Sequence, residues 1–457
     1  MFFLSFAEST LKIVSGGHLL RKCYRNSTFP LFVVGKRSFM EATMRRIVIL
    51  GSGAGGTIVA NQLRGQLPED EWEIVIIDRE EQHHYQPGYL FIPFGIYTRE
   101  DILQPKRLFI PRGVEFVLDE VTGVDAGNRT VLTRRGSYGY DWLVVATGAR
   151  IKPDEVEGMA EAWETDIHNF YTLTGAERLR QALKYFTCGK IVLNIAELPF
   201  KCPIAPLEFL FMCDWFLTVS GARSSVELEL VTPLGSVFTK PIAAKALAHV
   251  AEKKKVNVTP NFQIAKVDAA RKTIEAHDGR SVGYDLLVSI PPNFGEPCLD
   301  QSGLVDPMGY VMVNRNTLKA EKAERIFVLG DATNVPTSKA GSVAHYQAYT
   351  LVENLLREID GYKPLPSFDG HATCFLESGY DKAILLDFNY DVEPLPGKFP
   401  FPGVGPFSLL KESLSNHWGK MMFRWVYWEL MMRGKDLPME NQMNLAGKMR
   451  AGATCKM

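Results

Sequence analysis

Two cysteine segments are where this 457-residue chain could do chemistry: Cys202 in KCPIAPLEF and Cys374 in ATCFLESGYDKAILLDF. A thiolate is the nucleophilic form of sulfur, and thiols exchange with other sulfur species by attack at sulfur. The chain has seven cysteines, at 23, 188, 202, 213, 298, 374 and 455, with no CxxC or CxxH spacing. That scatter argues against a zinc site or a secreted disulfide framework, which need clustered or evenly paired sulfurs. Reactive cysteines in a cytoplasmic enzyme fit better, with the thiols that lack a motif read as small buried hydrophobes. Cys202 and Cys374 are 172 residues apart, so the fold must decide whether they meet.

The elements that would position them begin at Met44. RRIVIL is a β-branched run leading into GSGAGG, and TIVANQLRGQL continues with helical spacing of Ile58, Val59 and Leu63. In this strand, glycine turn and helix, Gly51 permits the tight turn, Gly53 (followed by Ala54) lets the backbone approach a pyrophosphate, and Gly56 lets the helix pack on the strand. WEIVIID then ends in Asp78, 22 residues beyond Gly56, where an acid can accept hydrogen bonds from ribose hydroxyls. Together these signal dinucleotide binding.

Two later strands, YDWLVVATGAR with Ala146, Thr147 and Gly148 and RIFVLGDATN with Gly330 and Asp331, carry a resemblance to the two-dinucleotide-binding-domain flavoproteins. The resemblance implies FAD, with the Asp331 carboxylate on the ribityl chain. The plain alternative is that Asp331 caps a helix starting near Thr337. In many of these flavoproteins a second glycine loop binds NAD(P)H. Here the strand KIVLNIA and the helix LEFLFMCDWFLTV are joined through two prolines and Cys202 instead, and proline has no N–H to offer a phosphate. The later strand GYDLLVSIPPN likewise ends in Ile-Pro-Pro, so nicotinamide chemistry is disfavoured.

KCPIAPLEF, the SIPPN strand, GDATNVPTSKAGSVAHYQA and CFLESGYDKAILLDF together resemble sulfide:quinone oxidoreductases from about Met44 to the tryptophan-rich tail. The resemblance implies a disulfide between Cys202 and Cys374 beside the flavin, opened by hydrosulfide, with quinone on the other flavin face. It assigns Glu208, six residues after Cys202, as a proton shuttle; a carboxylate in an apolar helix start should have a raised pKa. Its plain reading is a favourable charge in a first helical turn. Lys339 matches a position at the flavin, where a cation stabilises the anionic reduced ring; otherwise it is an exposed surface lysine. Tyr171 stands where many members have a third cysteine, which favours non-covalent FAD. The alternatives are a type II NADH:quinone oxidoreductase, a flavocytochrome-type sulfide dehydrogenase, or a non-catalytic flavoprotein that docks a partner.

The expected fold is α/β, with two Rossmann-like domains and a C-terminal membrane-associating region. Residues 44–160 and 296–365 would form the FAD domain, 161–295 the second Rossmann-like domain, and 366–457 the cysteine segment and amphipathic helices. From Trp418 to Met432 the chain is crowded with Trp, Tyr, Phe and Met, with Lys420, Arg424, Arg433 and Lys435 as basic flanks, which suits a bilayer headgroup boundary. A dimer interface or a buried core helix is the alternative. Tyr346 and Phe375 are candidate quinone contacts. No apolar run reaches the roughly 18 to 20 residues of a spanning helix, so a peripheral membrane protein is expected. With 51 basic against 52 acidic residues there is no charge for a nucleic-acid partner, and no metal is called for. Residues 1–43 read as an extension, disordered or upstream of the natural start, or as a transit peptide. The transit peptide implies the mitochondrial inner membrane; otherwise the cytoplasmic face of a prokaryotic membrane is expected, with a homo-oligomer possible.

Overall fold

The computed structural model describes residues 44–400, 405–437 and 440–448. The extension expected at 1–43, and Cys23 and Cys455, lie outside them. The β-branched runs form two five-stranded parallel sheets that share the order of four strands and differ in the fifth, which comes last along the chain in one sheet and first in the other. In the first the strand order is Ile326–Val328, Trp142–Val145, Arg45–Leu50, Trp72–Asp78, Val114–Leu118. In the second it is Ile167–His168, Leu286–Ile290, Gly189–Ile195, Val226–Val231, Val256–Thr259. Strands buried on both faces read as continuous apolar runs rather than alternating ones, and Ile47–Leu50 and Trp142–Val145 are buried throughout. A small antiparallel three-stranded sheet accompanies each half.

In the first half the glycine turn is sterically obligatory. Gly51 has φ +89°, and a Cβ there would lie 2.5 Å from the Ala146 carbonyl oxygen; one on Gly56 would lie 1.9 Å from the Gly51 carbonyl oxygen. Only glycine lets the Ala54–Arg64 helix pack this close to the strand that feeds it.

The C-terminal part adds a sheet in the order Ala372–Gly379, Lys382–Phe388, Phe407–Leu409, Gly397–Phe399, and the Leu414–Glu429 helix lies against it. The hairpin strand Ala372–Gly379, which carries Cys374, packs on the Ala205–Val219 helix that follows Cys202. Gly379 lets that contact close, because a Cβ would come within 2.4 Å of the Trp215 Cβ. Beyond it, Tyr380 donates to Asp214 Oδ2 (3.1 Å), and Asp214 pairs with Arg223 at 2.8 Å and Lys254 at 3.4 Å. The hairpin is thus fastened to the helix at the end away from the cysteines.

The Leu414–Glu429 helix has two faces. Tyr427 and Trp428 are core residues, Tyr427 against Tyr85 at 4.9 Å between ring centres and Trp428 stacked on Phe109 at 5.2 Å. Leu414, Trp418, Met422 and Trp425, spaced along one side, are each more than half exposed. Among the described residues no helix is long and apolar enough to cross a membrane.

Gly56→Ala is expected to cost about 3 kcal/mol or more, since backbone would have to move. Gly136→Ala, with nothing within 4 Å of its Cβ, is the control. Denaturant midpoints of the two variants give the comparison.

Candidate functional site: two cysteines and a buried ion pair

Cys202 is held in the left-handed region, at φ +55°, a conformation that a non-glycine residue keeps only when its surroundings impose it. Its N–H donates to the Lys339 carbonyl oxygen at 2.9 Å, and its own carbonyl accepts from Ala205 N at 2.9 Å. On the other side Tyr171 donates its hydroxyl to the Lys201 carbonyl at 2.6 Å, and Lys201 N donates to Asn293 Oδ1 at 3.2 Å. Asn293 follows the Leu286–Ile290 strand across Pro291 and Pro292 and begins the short strand Asn293–Phe294. The diverged end of the second half is therefore used to fix the Cys202 loop, and the tyrosine expected at the third-cysteine position lies directly beside it.

Cys374 sits in its strand opposite Leu386, while Ser342 donates to the preceding carbonyl, Thr373 O, at 2.8 Å. Both cysteines are free thiols in this structure. Burial pushes the Cys202 thiol up to about 12, with the Glu208 carboxylate adding to the rise and Lys420 and the N–H groups of Ala205 and Ile204 opposing it. Burial also pushes the Cys374 thiol up, and the next contribution is the charge of Cys202. The fold thus brings the two sulfurs close enough for the ionisation of one to weigh on the other.

The cation that favours both thiolates is Lys420. Its Nζ lies 2.7 Å from Glu208 Oε1 and donates to the Phe375 carbonyl at 2.9 Å; its side chain is only 10% exposed. Burial works against its charge, but Glu208, with Cys202 and Glu377 adding to it, holds the ammonium above its ordinary value. This corrects the sequence-based placement of Lys420 on a lipid-facing flank. Arg424, from the same flank, is ion-paired with Asp101 at 2.8 Å.

Glu208 also accepts the Glu377 N–H at 2.9 Å, so its carboxylate is half of a buried ion pair. Nearby, burial pushes the Glu377 carboxyl up to about 7 although His417 opposes the shift. The sequence reading missed Lys420, Glu377 and Asn293. Only Glu377 had a signal, an acid three residues after Cys374 in an otherwise apolar strand.

The dinucleotide residues converge at the carboxyl edge of the first sheet, the usual place for a ligand in an open α/β sheet. Gly51 lies against Ala146, as described above. Gly53 caps the Ala54–Arg64 helix, and a Cβ on it would enter open space, as would one on Gly148, at φ +76°. Thr147 Oγ1 is buried without a partner, the kind of orphaned group a bound ligand satisfies. Gly330, at φ +71°, donates its N–H to Gln347 Oε1 at 2.6 Å. These features fit FAD: an open helix N-terminus for phosphate, glycine cradles and an unsatisfied hydroxyl. Asp331 caps no helix, since the next one begins at Gly341 with Ala340 before it. Asp78 is engaged by Ser52 N at 2.7 Å and by Lys106 Nζ at 2.7 Å. Burial opposes its charge, yet Lys106 and these hydrogen bonds hold it below the usual carboxylate range.

Lys339 is buried rather than a surface lysine. Its Nζ donates to the carbonyls of Asp331 (2.8 Å) and Thr333 (2.7 Å) and lies 3.9 Å from the Tyr310 ring centre. Tyr346 is corrected. Its ring is fully buried and stacked on His371 at 4.4 Å, and its hydroxyl donates to Thr373, so it offers a quinone no face. Phe375 is half-buried, edge-on to Phe407 at 5.3 Å, and remains compatible with such a contact.

Lys420→Met, which strands the Glu208 charge in the interior, is expected to destabilise the fold by about 3–5 kcal/mol. Adding Glu208→Gln should recover much of that loss in denaturant unfolding. In both variants the alkylation of Cys202 by iodoacetamide is the companion measurement, and it should slow in Lys420→Met.

Residues 45–193 match the family model described as pyridine nucleotide-disulphide oxidoreductase. A mitochondrial sulfide:quinone oxidoreductase of Dictyostelium discoideum is 32% identical over 408 residues, which cover 88% of each chain. The mitochondrial enzyme of that name from Mus musculus is 26% identical over 400 residues, 85% of this chain and 86% of its own. The X-ray structure of the sulfide:quinone oxidoreductase from Aquifex aeolicus superposes with a TM-score of 0.72 at 20% identity, covering 86% of this chain and 92% of that one. Near-complete coverage at this identity, spanning both cysteine segments and the diverged second half, means that the chain belongs to the sulfide:quinone oxidoreductase family.

Proposed function

We propose that this protein oxidises sulfide at Cys202 and Cys374 and passes the two electrons through non-covalent FAD to a membrane quinone. The observation that supports this reading is the meeting of two remote cysteines beside the Glu208–Lys420 pair, where a nicotinamide loop would otherwise stand. In the oxidised enzyme the two sulfurs would be bonded. Hydrosulfide attacks one of them, forming a new S–S bond to that cysteine and breaking the bond between the two. The electron pair leaves on the other sulfur as a thiolate, which the Lys420 ammonium favours. FAD supplies the two-electron relay between sulfur and quinone. Balanced over the turnover, hydrosulfide, quinone and one proton give sulfane sulfur and quinol, the sulfur leaving as persulfide or polysulfide.

The absence of a glycine loop before the Ala205–Val219 helix counts against an NADH-dependent enzyme. Tyr171, anchored to the Cys202 loop, takes the place of a third cysteine and favours a flavin without a covalent link. The exposed face of Leu414, Trp418, Met422 and Trp425 suits a helix lying in the headgroup layer of a bilayer, with Phe375 next to Gly419 on its inner side. The mitochondrial names of the Dictyostelium and mouse relatives support the mitochondrial inner membrane as its location.

In anaerobic titration, sulfide should bleach the flavin and decylubiquinone should restore its colour. Cys202→Ser and Cys374→Ser should each abolish the bleaching while retaining FAD. Bleaching by NADH but not by sulfide would overturn the reading. A pH dependence also follows. Burial brings Lys339 down to about 8, with Asp331 and Asp306 opposing, so it is cationic below that pH and neutral above. Sulfide-driven flavin reduction should slow as pH rises through about 8, and Lys339→Met should lack that step.

A further inference from the structure

Cys374 is buried and Cys202 half-buried, and thiol ionisation and quinol formation each move protons. One chain of titratable groups leads outward from the two cysteines. Glu377 is three residues after Cys374 and only 2% exposed. Its Oε2 lies 2.9 Å from His417 Nδ1. The other imidazole nitrogen, Nε2, is 3.8 Å from Asp381, whose side chain is 82% exposed. Inward, the Glu377 backbone N–H ties Glu208 Oε1, the atom paired with Lys420, to this strand, and the two carboxyl groups are near enough for the charge of Glu208 to raise Glu377. An imidazole with a buried carboxylate on one nitrogen and an exposed one on the other has the arrangement of a proton shuttle.

We propose that Glu377 and His417 form the proton-exchange path between solvent at Asp381 and the Glu208–Lys420 pair beside the two cysteines. The proposal rests on the sulfide-oxidising reading for its purpose, but not for its geometry. Inward transfer begins when His417 Nε2 takes a proton from the Asp381 side. Nδ1 then gives its own proton to Glu377 Oε2, the N–H bond breaking and its electron pair staying on nitrogen. Glu208 is the next acceptor inward. Outward transfer, after a thiol S–H breaks with its electron pair kept on sulfur, reverses these steps. The groups facing Glu377 are His417 and Lys420 on the Leu414–Glu429 helix, Glu208 on the Ala205–Val219 helix and, through His417, Asp381 in the hairpin turn. Their balance leaves Glu377 at about 7, where it can both take and give a proton near neutrality. His417 adjoins Trp418, so the path opens beside the exposed apolar face.

The test uses full-length, FAD-loaded protein with His417→Ala, Glu377→Gln and the wild type, each reduced so that Cys202 and Cys374 both carry S–H groups. Exchange of the cysteine S–H groups after dilution into deuterium oxide is followed by infrared spectroscopy, with Cys202→Ser and Cys374→Ser identifying the bands. Exchange should slow about tenfold in both relay variants, less than the roughly 100-fold or more of direct acid–base catalysis because water can partly bypass the path. Added imidazole should restore the rate in His417→Ala but not in Glu377→Gln, a pattern that a packing role would not produce. Sulfide turnover with decylubiquinone should show the same loss and the same rescue. Wild-type exchange rates in both variants, or slowing without imidazole rescue, would overturn the proposal. Exchange that behaves as expected in a protein that does not turn over sulfide would overturn the functional reading and leave the path standing.

Discussion

The contact on which the site depends is the buried ion pair of Glu208 and Lys420. It joins three elements distant in sequence: the Ala205–Val219 helix supplies the carboxylate, the Leu414–Glu429 helix the ammonium, and the Ala372–Gly379 strand donates Glu377 N–H to one and accepts from the other at Phe375 O. Taking two charges out of water costs several kcal/mol each, so such a pair adds little net stability and much penalty if it is broken. What it does is local: it holds the strand bearing Cys374 against the helix that Cys202 precedes, and it leaves one ammonium near both sulfurs. The Tyr380–Asp214–Arg223–Lys254 cluster fastens the same helix and hairpin at their other end.

Four strands of each parallel sheet share one order, while the loops at the carboxyl edges of the two sheets differ. In the first half, glycines leave open space at a helix N-terminus, the setting for a pyrophosphate. The equivalent turn of the second half is filled by Cys202 and prolines. Its backbone is pinned by Lys339 O, and the neighbouring Lys201 is tied to Tyr171 and Asn293. Lys339 comes from the segment just after Gly330–Asp331, so one stretch of chain serves both halves: its ammonium holds the turn that follows the first sheet, and its carbonyl holds the cysteine loop.

Much of this frame was legible in the sequence because it is written in local patterns. A buried parallel strand, an obligatory glycine and a helix start each depend on residues within a few positions, and the segments RRIVIL, GSGAGG and YDWLVVATGAR carry them all. The partners of the site residues were not legible. Glu208 and Lys420 are 212 positions apart, and nothing in the spacing of the aromatic tail marks Lys420 as the inward-facing cation among several. Tyr346 failed as a quinone contact for a related reason: a helix sequence does not reveal that His371 covers the ring. The crowding of the Trp418–Met432 stretch did indicate more apolar surface than one buried face needs, but only packing separates Tyr427 and Trp428 from Trp418, Met422 and Trp425.

That same helix therefore presents three kinds of side chain at three angles, and the division has a physical logic. A cation turned into the protein can be stabilised there only because a carboxylate awaits it, whereas a tryptophan turned outward costs little if another apolar phase covers it. Between those two directions stands His417, one residue from Trp418 and three from Lys420, with a carboxylate on either side. Placing a titratable dyad at the margin between the exposed apolar face and the buried ion pair gives the interior around the two cysteines a route for proton exchange with water at Asp381.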